Sequence, residues 1–98
     1  MRKISELMDI RDRVAVITGG AGHLGLAMGG ALAELGATVV VVDLDAARSA
    51  EAANEIERHA GGRALGLAVN LESEADVRVV PLRVLEKFGR LDILINCA

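Results

Sequence analysis

Ninety-eight residues, 52% hydrophobic and 26% charged, supply one core and exclude the disordered class. A net charge of −3 offers no basic stripe for a phosphate backbone, so no nucleic-acid partner is expected. The single cysteine, Cys97, excludes an internal disulfide and a cysteine-based metal site, and the core must be aliphatic because Phe88 is the only aromatic residue.

The first ten residues begin basic, but Glu6 and Asp9 interrupt any apolar stretch, so they do not form a secretory signal. The longest wholly apolar run, Val39–Val42, is far short of the ~20 residues that span a bilayer. These features predict a cytoplasmic protein with no membrane partner.

Val14–Ile17 and Val39–Val42 are continuous β-branched runs, as expected of strands covered on both faces. Ala64–Val69 and Leu91–Ile95 are weaker strand candidates. Between the first two strands, Leu24, Ala27, Met28, Ala31 and Leu35 recur at helical spacing, which predicts an amphipathic helix with that stripe inward. Gly29-Gly30 interrupt it at a cost of about 1 kcal/mol each, unless the backbone packs closely there. Ala46–Ala60 is a helix by propensity, with Ala46, Ala50, Ala53, Ile56 and Ala60 on one side. Val77, Val80, Val84 and Phe88 mark a third helix, which Pro81 should kink by removing the hydrogen bond to the Val77 carbonyl. Asp45 and Ser73 stand at N-cap positions, and Gly36, Gly61-Gly62 and Gly89 at C-terminal caps.

The resulting order is β-α-β-α-β-α-β. Right-handed crossovers put the first two helices on one sheet face. A third helix on the other face requires the chain to return beside strand one, giving strand order 3-2-1-4. The fold class is therefore α/β, a doubly wound parallel sheet of Rossmann type. Ligands in such sheets bind at the carboxyl ends of the strands, at the switch point.

Gly20-Ala21-Gly22-His23-Leu24-Gly25 matches GxGxxG directly after a strand and before a helix. One glycine permits the tight turn, a second lets a pyrophosphate approach the backbone, and a third lets the helix pack on the strand. The helix start offers free N–H groups and roughly half a positive charge. Asp43 lies eighteen residues past Gly25, at the end of the second strand. That matches the acid that accepts the adenosine ribose hydroxyls, about 20 residues on. It would repel a 2′-phosphate, and Leu44 beside it offers no positive charge, so NAD is expected over NADP. His23 is either a phosphate contact or an exposed loop residue without a role. His59 suits its helix terminus and needs no further one.

Val16–Gly25, then Val42-Asp43, then Gly89–Ala98 resemble the short-chain dehydrogenase/reductase family, the last stretch being similar to that family's strand-four signature LDILVNNAG. The resemblance covers nearly the whole chain. It implies a cofactor site made of Thr18, Gly19, Gly20, Gly22, His23, Leu24, Gly25, Asp43, Asn70, Asn96 and Ala98. Three departures stand out. His23 occupies a glycine position of the family's usual loop. Asn70 replaces the aspartate usually found beside the adenine amino group. Cys97 replaces the signature's second asparagine.

The family's catalytic Ser and Tyr-x-x-x-Lys have no counterpart here, and there is no tyrosine at all. Residues 1–98 are thus expected to be a partial dinucleotide-binding domain without the catalytic and substrate half, and inactive alone. The resemblance implies an NAD-dependent oxidoreductase that acts on a secondary alcohol or ketone. A non-catalytic nucleotide-binding module is the alternative. A methyltransferase reading fails because Val14–Thr18 carries no acid before the glycines. Strand four would be an open apolar edge, with one helix covering the second face, so association of copies is expected.

Overall fold

In the computed structural model, which describes residues 2–97, four parallel strands form one sheet in the order β3-β2-β1-β4. The strands are β1 (Val14–Thr18), β2 (Thr38–Asp43), β3 (Ala64–Ala68) and β4 (Ile93–Asn96). The helices are α1 (Ile4–Leu7), α2 (His23–Glu34), α3 (Ala46–Ala60) and α4 (Glu74–Phe88). Strand order and crossovers are those expected from the sequence. The single exposed turn α1 was not foreseen, because it buries nothing and leaves no apolar stripe.

The continuous β-branched runs divide their side chains between two cores. Val14, Val16, Val40 and Val42 join Leu67, Val69, Val80 and Val84 on the α4 side. Ile17, Val39 and Val41 join Ala33, Ala52 and Ile56 on the α2–α3 side. Successive strand residues point to opposite faces, so a strand buried on both faces must be apolar at every position.

The helix faces differ from the periodicity reading. In α2 the buried residues are Gly25, Gly29 and Ala33; of the expected stripe only Met28 packs against the core, half-buried, whereas Leu24, Ala27, Ala31 and Leu35 are exposed. The helix lies so close to the sheet that a Cβ on Gly29 would come within 2.9 Å of Ile56 Cδ1. Close packing therefore accounts for Gly29 but not for Gly30, which has open space around it. In α3, Ser49, Ala52, Ala53 and Ile56 face inward, while Ala46 and Ala50 are exposed. The buried Ser49 Oγ donates to the carbonyl oxygens of Asp45 (2.9 Å) and Leu67 (3.3 Å), which satisfies it locally. In α4, Val80 and Val84 are buried and Val77 is exposed. The helix runs unbroken through the exposed Pro81.

The caps are those the local chemistry dictates. Asp45 accepts from the Ala47 and Arg48 N–H groups, and Ser73 accepts from Asp76 N–H. Gly61 and Gly89 end their helices at φ +71° and +77°, a conformation that side chains disfavour.

At the amino ends of the strands, Asp92 fastens β4 to β1. Its carboxylate accepts from Val14 N–H at 2.9 Å and from Arg90 Nε and Nη2 at 2.8 and 2.9 Å. The Arg90 guanidinium, aided by the Val14 N–H, holds this carboxyl down at about 2. A carboxyl depressed in the folded state stabilises fully above its unfolded value near 4, and that contribution is lost as pH falls toward 2. Asp9, lowered by Arg11 in the same way, acts in the same window. Urea midpoints measured from pH 5 to pH 2 should therefore fall for the native chain. They should fall less steeply for Asp92→Asn, which starts from a lower midpoint at pH 7.

Candidate functional site

Three chain crossings create the site at the carboxyl ends of the strands. After β1 the chain turns through Gly19, at φ +67°, and the N–H groups of Gly19 and Gly20 donate to the Val42 carbonyl at 2.8 and 3.4 Å. This draws the glycine loop against the end of β2. A Cβ on Gly25 would lie 2.6 Å from Gly20 Cα and 2.7 Å from the Gly19 carbonyl oxygen, so the first turn of α2 rests directly on the loop. Gly22, the N-cap of α2, would bring a Cβ no nearer than 3.5 Å to anything. No side chain caps this helix, so its first N–H groups lack an intrahelical or capping partner.

Asp43 closes the loop from the other side. Its Oδ2 accepts from Ala21 N–H at 3.3 Å and its Oδ1 from Leu44 N–H at 2.9 Å. Each carboxylate oxygen keeps a further lone pair for a ligand hydroxyl. Asp45, not Asp43, caps α3. Asp43 is therefore not needed as a cap.

Gly19, Asp43, Leu44, Val69, Asn70, Leu71 and Glu72 line a cleft of about 350 Å³ at the ends of β1, β2 and β3. It brings together three of the residues expected from the sequence. Gly20 and Gly25 are buried against each other, and His23 and Leu24 are exposed on the first turn of α2. Thr18 and Asn96 are joined to each other by a hydrogen bond from Thr18 Oγ1 to Asn96 Oδ1. They line a different space, an apolar groove of about 750 Å³ beside α4 that also exposes Leu91, Leu94 and Pro81. Ala98 lies outside the described residues. Cys97 is half-buried, its Sγ 3.7 Å from Met28 Sδ.

Sequence reasoning missed Ala21, whose backbone N–H orients Asp43, and the cleft wall Leu71-Glu72. Their position just past the strand ends was the available signal. No group of three or more potential metal ligands occurs among the described residues, and no described helix is long and apolar enough to cross a membrane.

A parallel sheet in the order 3-2-1-4, with helices on both faces and a glycine loop between β1 and α2, defines a Rossmann-type fold. The sequence model of the short chain dehydrogenase family matches residues 13–98, and the chain belongs to that family. A curated relative, 3-hydroxyacyl-CoA dehydrogenase type-2 of Drosophila melanogaster, is 38% identical over 91% of this chain and 33% of its own length. Among solved structures, L-sorbose reductase from Gluconobacter frateurii, complexed with NADPH and L-sorbose, superposes with a TM-score of 0.85 at 38% identity. That match covers 93% of this chain and 35% of the other. An NAD+-bound xylitol dehydrogenase superposes with a TM-score of 0.82 at 27% identity, covering 87% of this chain and 32% of its own. The chain spans about a third of the length of the relatives it matches.

Proposed function

We propose that this chain holds the adenosine and pyrophosphate portion of NAD for an oxidoreductase that interconverts a secondary alcohol and its carbonyl. When bound, the nicotinamide would carry the hydride. The observation that carries this reading is the convergence of Gly19, Asp43 and Asn70 on one cleft, with Asp43 bonded to the Ala21 N–H just ahead of the uncapped α2. The free N–H groups of His23, Leu24 and Gly25 suit the pyrophosphate, and Gly22 leaves the backbone open to it. Thr18, Gly20 and Asn96 hold the surrounding strand ends. Asp43 suits the two ribose hydroxyls, and its negative charge favours NAD over NADP. The relatives do not decide this preference, since one solved structure holds NAD+ and another NADPH.

None of these residues moves a proton on substrate. Proton transfer and substrate choice belong, in this reading, to the two thirds of the relatives' length that the chain does not span. A reducing, cytoplasmic compartment suits the lone thiol of Cys97. The open β4 edge and the groove beside it favour association between copies.

Calorimetric titration of the 98-residue chain tests the reading. NAD+ and ADP-ribose should bind with similar affinity, because every proposed contact lies on the part they share, and nicotinamide mononucleotide should not. At a hundredfold excess over Kd, either ligand should stabilise the fold by about 2.7 kcal/mol. Absence of saturable binding by NAD+ and ADP-ribose would overturn the reading.

A further inference from the structure

A dinucleotide whose pyrophosphate meets α2, after β1, and whose ribose meets Asp43, after β2, continues outward across the sheet. Its base then reaches the end of β3, where Val69, Asn70, Leu71 and Glu72 form the rest of the cleft. Asn70 is pinned there twice. Its N–H donates to Asp76 Oδ2 at 3.1 Å, and its side-chain Oδ1 accepts from Glu72 N–H at 3.0 Å. A backbone N–H can pair only with the oxygen end of an amide, so this bond fixes which way the amide is turned. The Nδ2 group is left as the free end and has no acceptor among the described residues.

From this we infer that the free Nδ2 donor of Asn70, beside an oxygen already shared with Glu72 N–H, lets the base subsite accept a 6-oxopurine dinucleotide at least as well as an adenine one. The inference rests on the cofactor reading above. Adenine presents an amino donor at C6, which must share the Asn70 Oδ1 with Glu72 N–H and cannot use the free Nδ2. Hypoxanthine presents a carbonyl oxygen there, which an amide N–H satisfies. For adenine only the ring acceptors can meet Nδ2. The Glu72 carboxylate also borders the cleft, but no contact fixes it, so holding it against a base costs side-chain freedom.

The test is a titration of the chain with NAD+ and with nicotinamide hypoxanthine dinucleotide, for the native sequence and for Asn70→Asp. The native chain should bind the hypoxanthine dinucleotide within about threefold of NAD+, or more tightly. Asn70→Asp is isosteric and keeps an oxygen for Glu72 N–H, but turns an acceptor toward the base. It should shift the ratio about tenfold in favour of NAD+. A native preference for NAD+ greater than about threefold, or a ratio that Asn70→Asp leaves unmoved, overturns the inference. The native comparison stands even if the variant folds poorly. Binding of neither dinucleotide overturns the cofactor reading itself, and this inference with it.

Discussion

Gly25→Ala is expected to lower stability by about 3 kcal/mol, whereas Gly22→Ala should change it by less than about 0.5 kcal/mol. The difference follows from what each methyl would meet. At Gly25 it would be driven against Gly20 Cα at 2.6 Å and the Gly19 carbonyl oxygen at 2.7 Å. Both are backbone atoms of a loop already tied to Val42, so neither can rotate aside. The first turn of α2 would have to lift from β1, which separates Gly29 from Ile56 further along the same helix. In a chain of this size the loss corresponds to a fall in melting temperature of roughly 15 °C.

At Gly22 the nearest atom would be 3.5 Å away, an ordinary contact, and the backbone has φ −78°, which any residue adopts. In the cofactor reading, the space at Gly22 is what lets a pyrophosphate approach the backbone. Gly22→Ala should therefore fold normally and bind NAD+ at least tenfold more weakly, about 1.4 kcal/mol. Thermal melts paired with titration separate the two outcomes. Equal destabilisation by both substitutions would show that Gly22 also serves packing, and unchanged binding by Gly22→Ala would remove it from the site.

These two glycines also show where the sequence was legible and where it was not. Strand order could be read because Val14–Ile17 and Val39–Val42 are apolar at every position and crossover handedness leaves few arrangements. Caps could be read because Asp45, Ser73, Gly61 and Gly89 act within a few residues of themselves. The inward face of α2 could not. Hydropathy assigns the core to Leu24, Ala27, Met28, Ala31 and Leu35, of which only Met28 packs against it, and the helix approaches the sheet through Gly25, Gly29 and Ala33. A residue that enables burial by lacking a side chain has no hydropathy to register.

Gly66 is a second case. A Cβ there would lie 2.5 Å from the Ser49 carbonyl carbon and oxygen, so β3 and α3 touch backbone to backbone. Nothing in either residue alone announces the pairing. In the site, Asp43 and the loop glycines were legible because their spacing is set by one helix and two strands. The orientation of the Asn70 amide was not, since it depends on a turn to Glu72 that follows no periodic pattern.

The remaining large effect concerns Asp43. A 2′-phosphate at ~5 Å from its carboxylate, at an effective dielectric of ~20, meets about 3 kcal/mol of repulsion per unit charge. Removing the charge should therefore lower the Kd for NADP+ relative to NAD+ by more than about a hundredfold. The carboxylate has a second task, however, because it also accepts from Ala21 and Leu44 N–H groups and so holds the glycine loop. Asp43→Ala removes both functions, and Asp43→Asn removes the charge while leaving one oxygen for the loop. If repulsion sets the preference, both variants should show the hundredfold change in ratio, with Asp43→Asn keeping the tighter absolute binding of the two. If the loop bond sets it instead, Asp43→Asn should retain most of the native ratio and only Asp43→Ala should lose it. Raising the salt concentration adds an independent check, since screening weakens a charge effect at an exposed cleft and leaves a hydrogen-bonded loop in place. The native NAD+ to NADP+ ratio should accordingly narrow between low and high salt, and the ratio of Asp43→Asn should stay level.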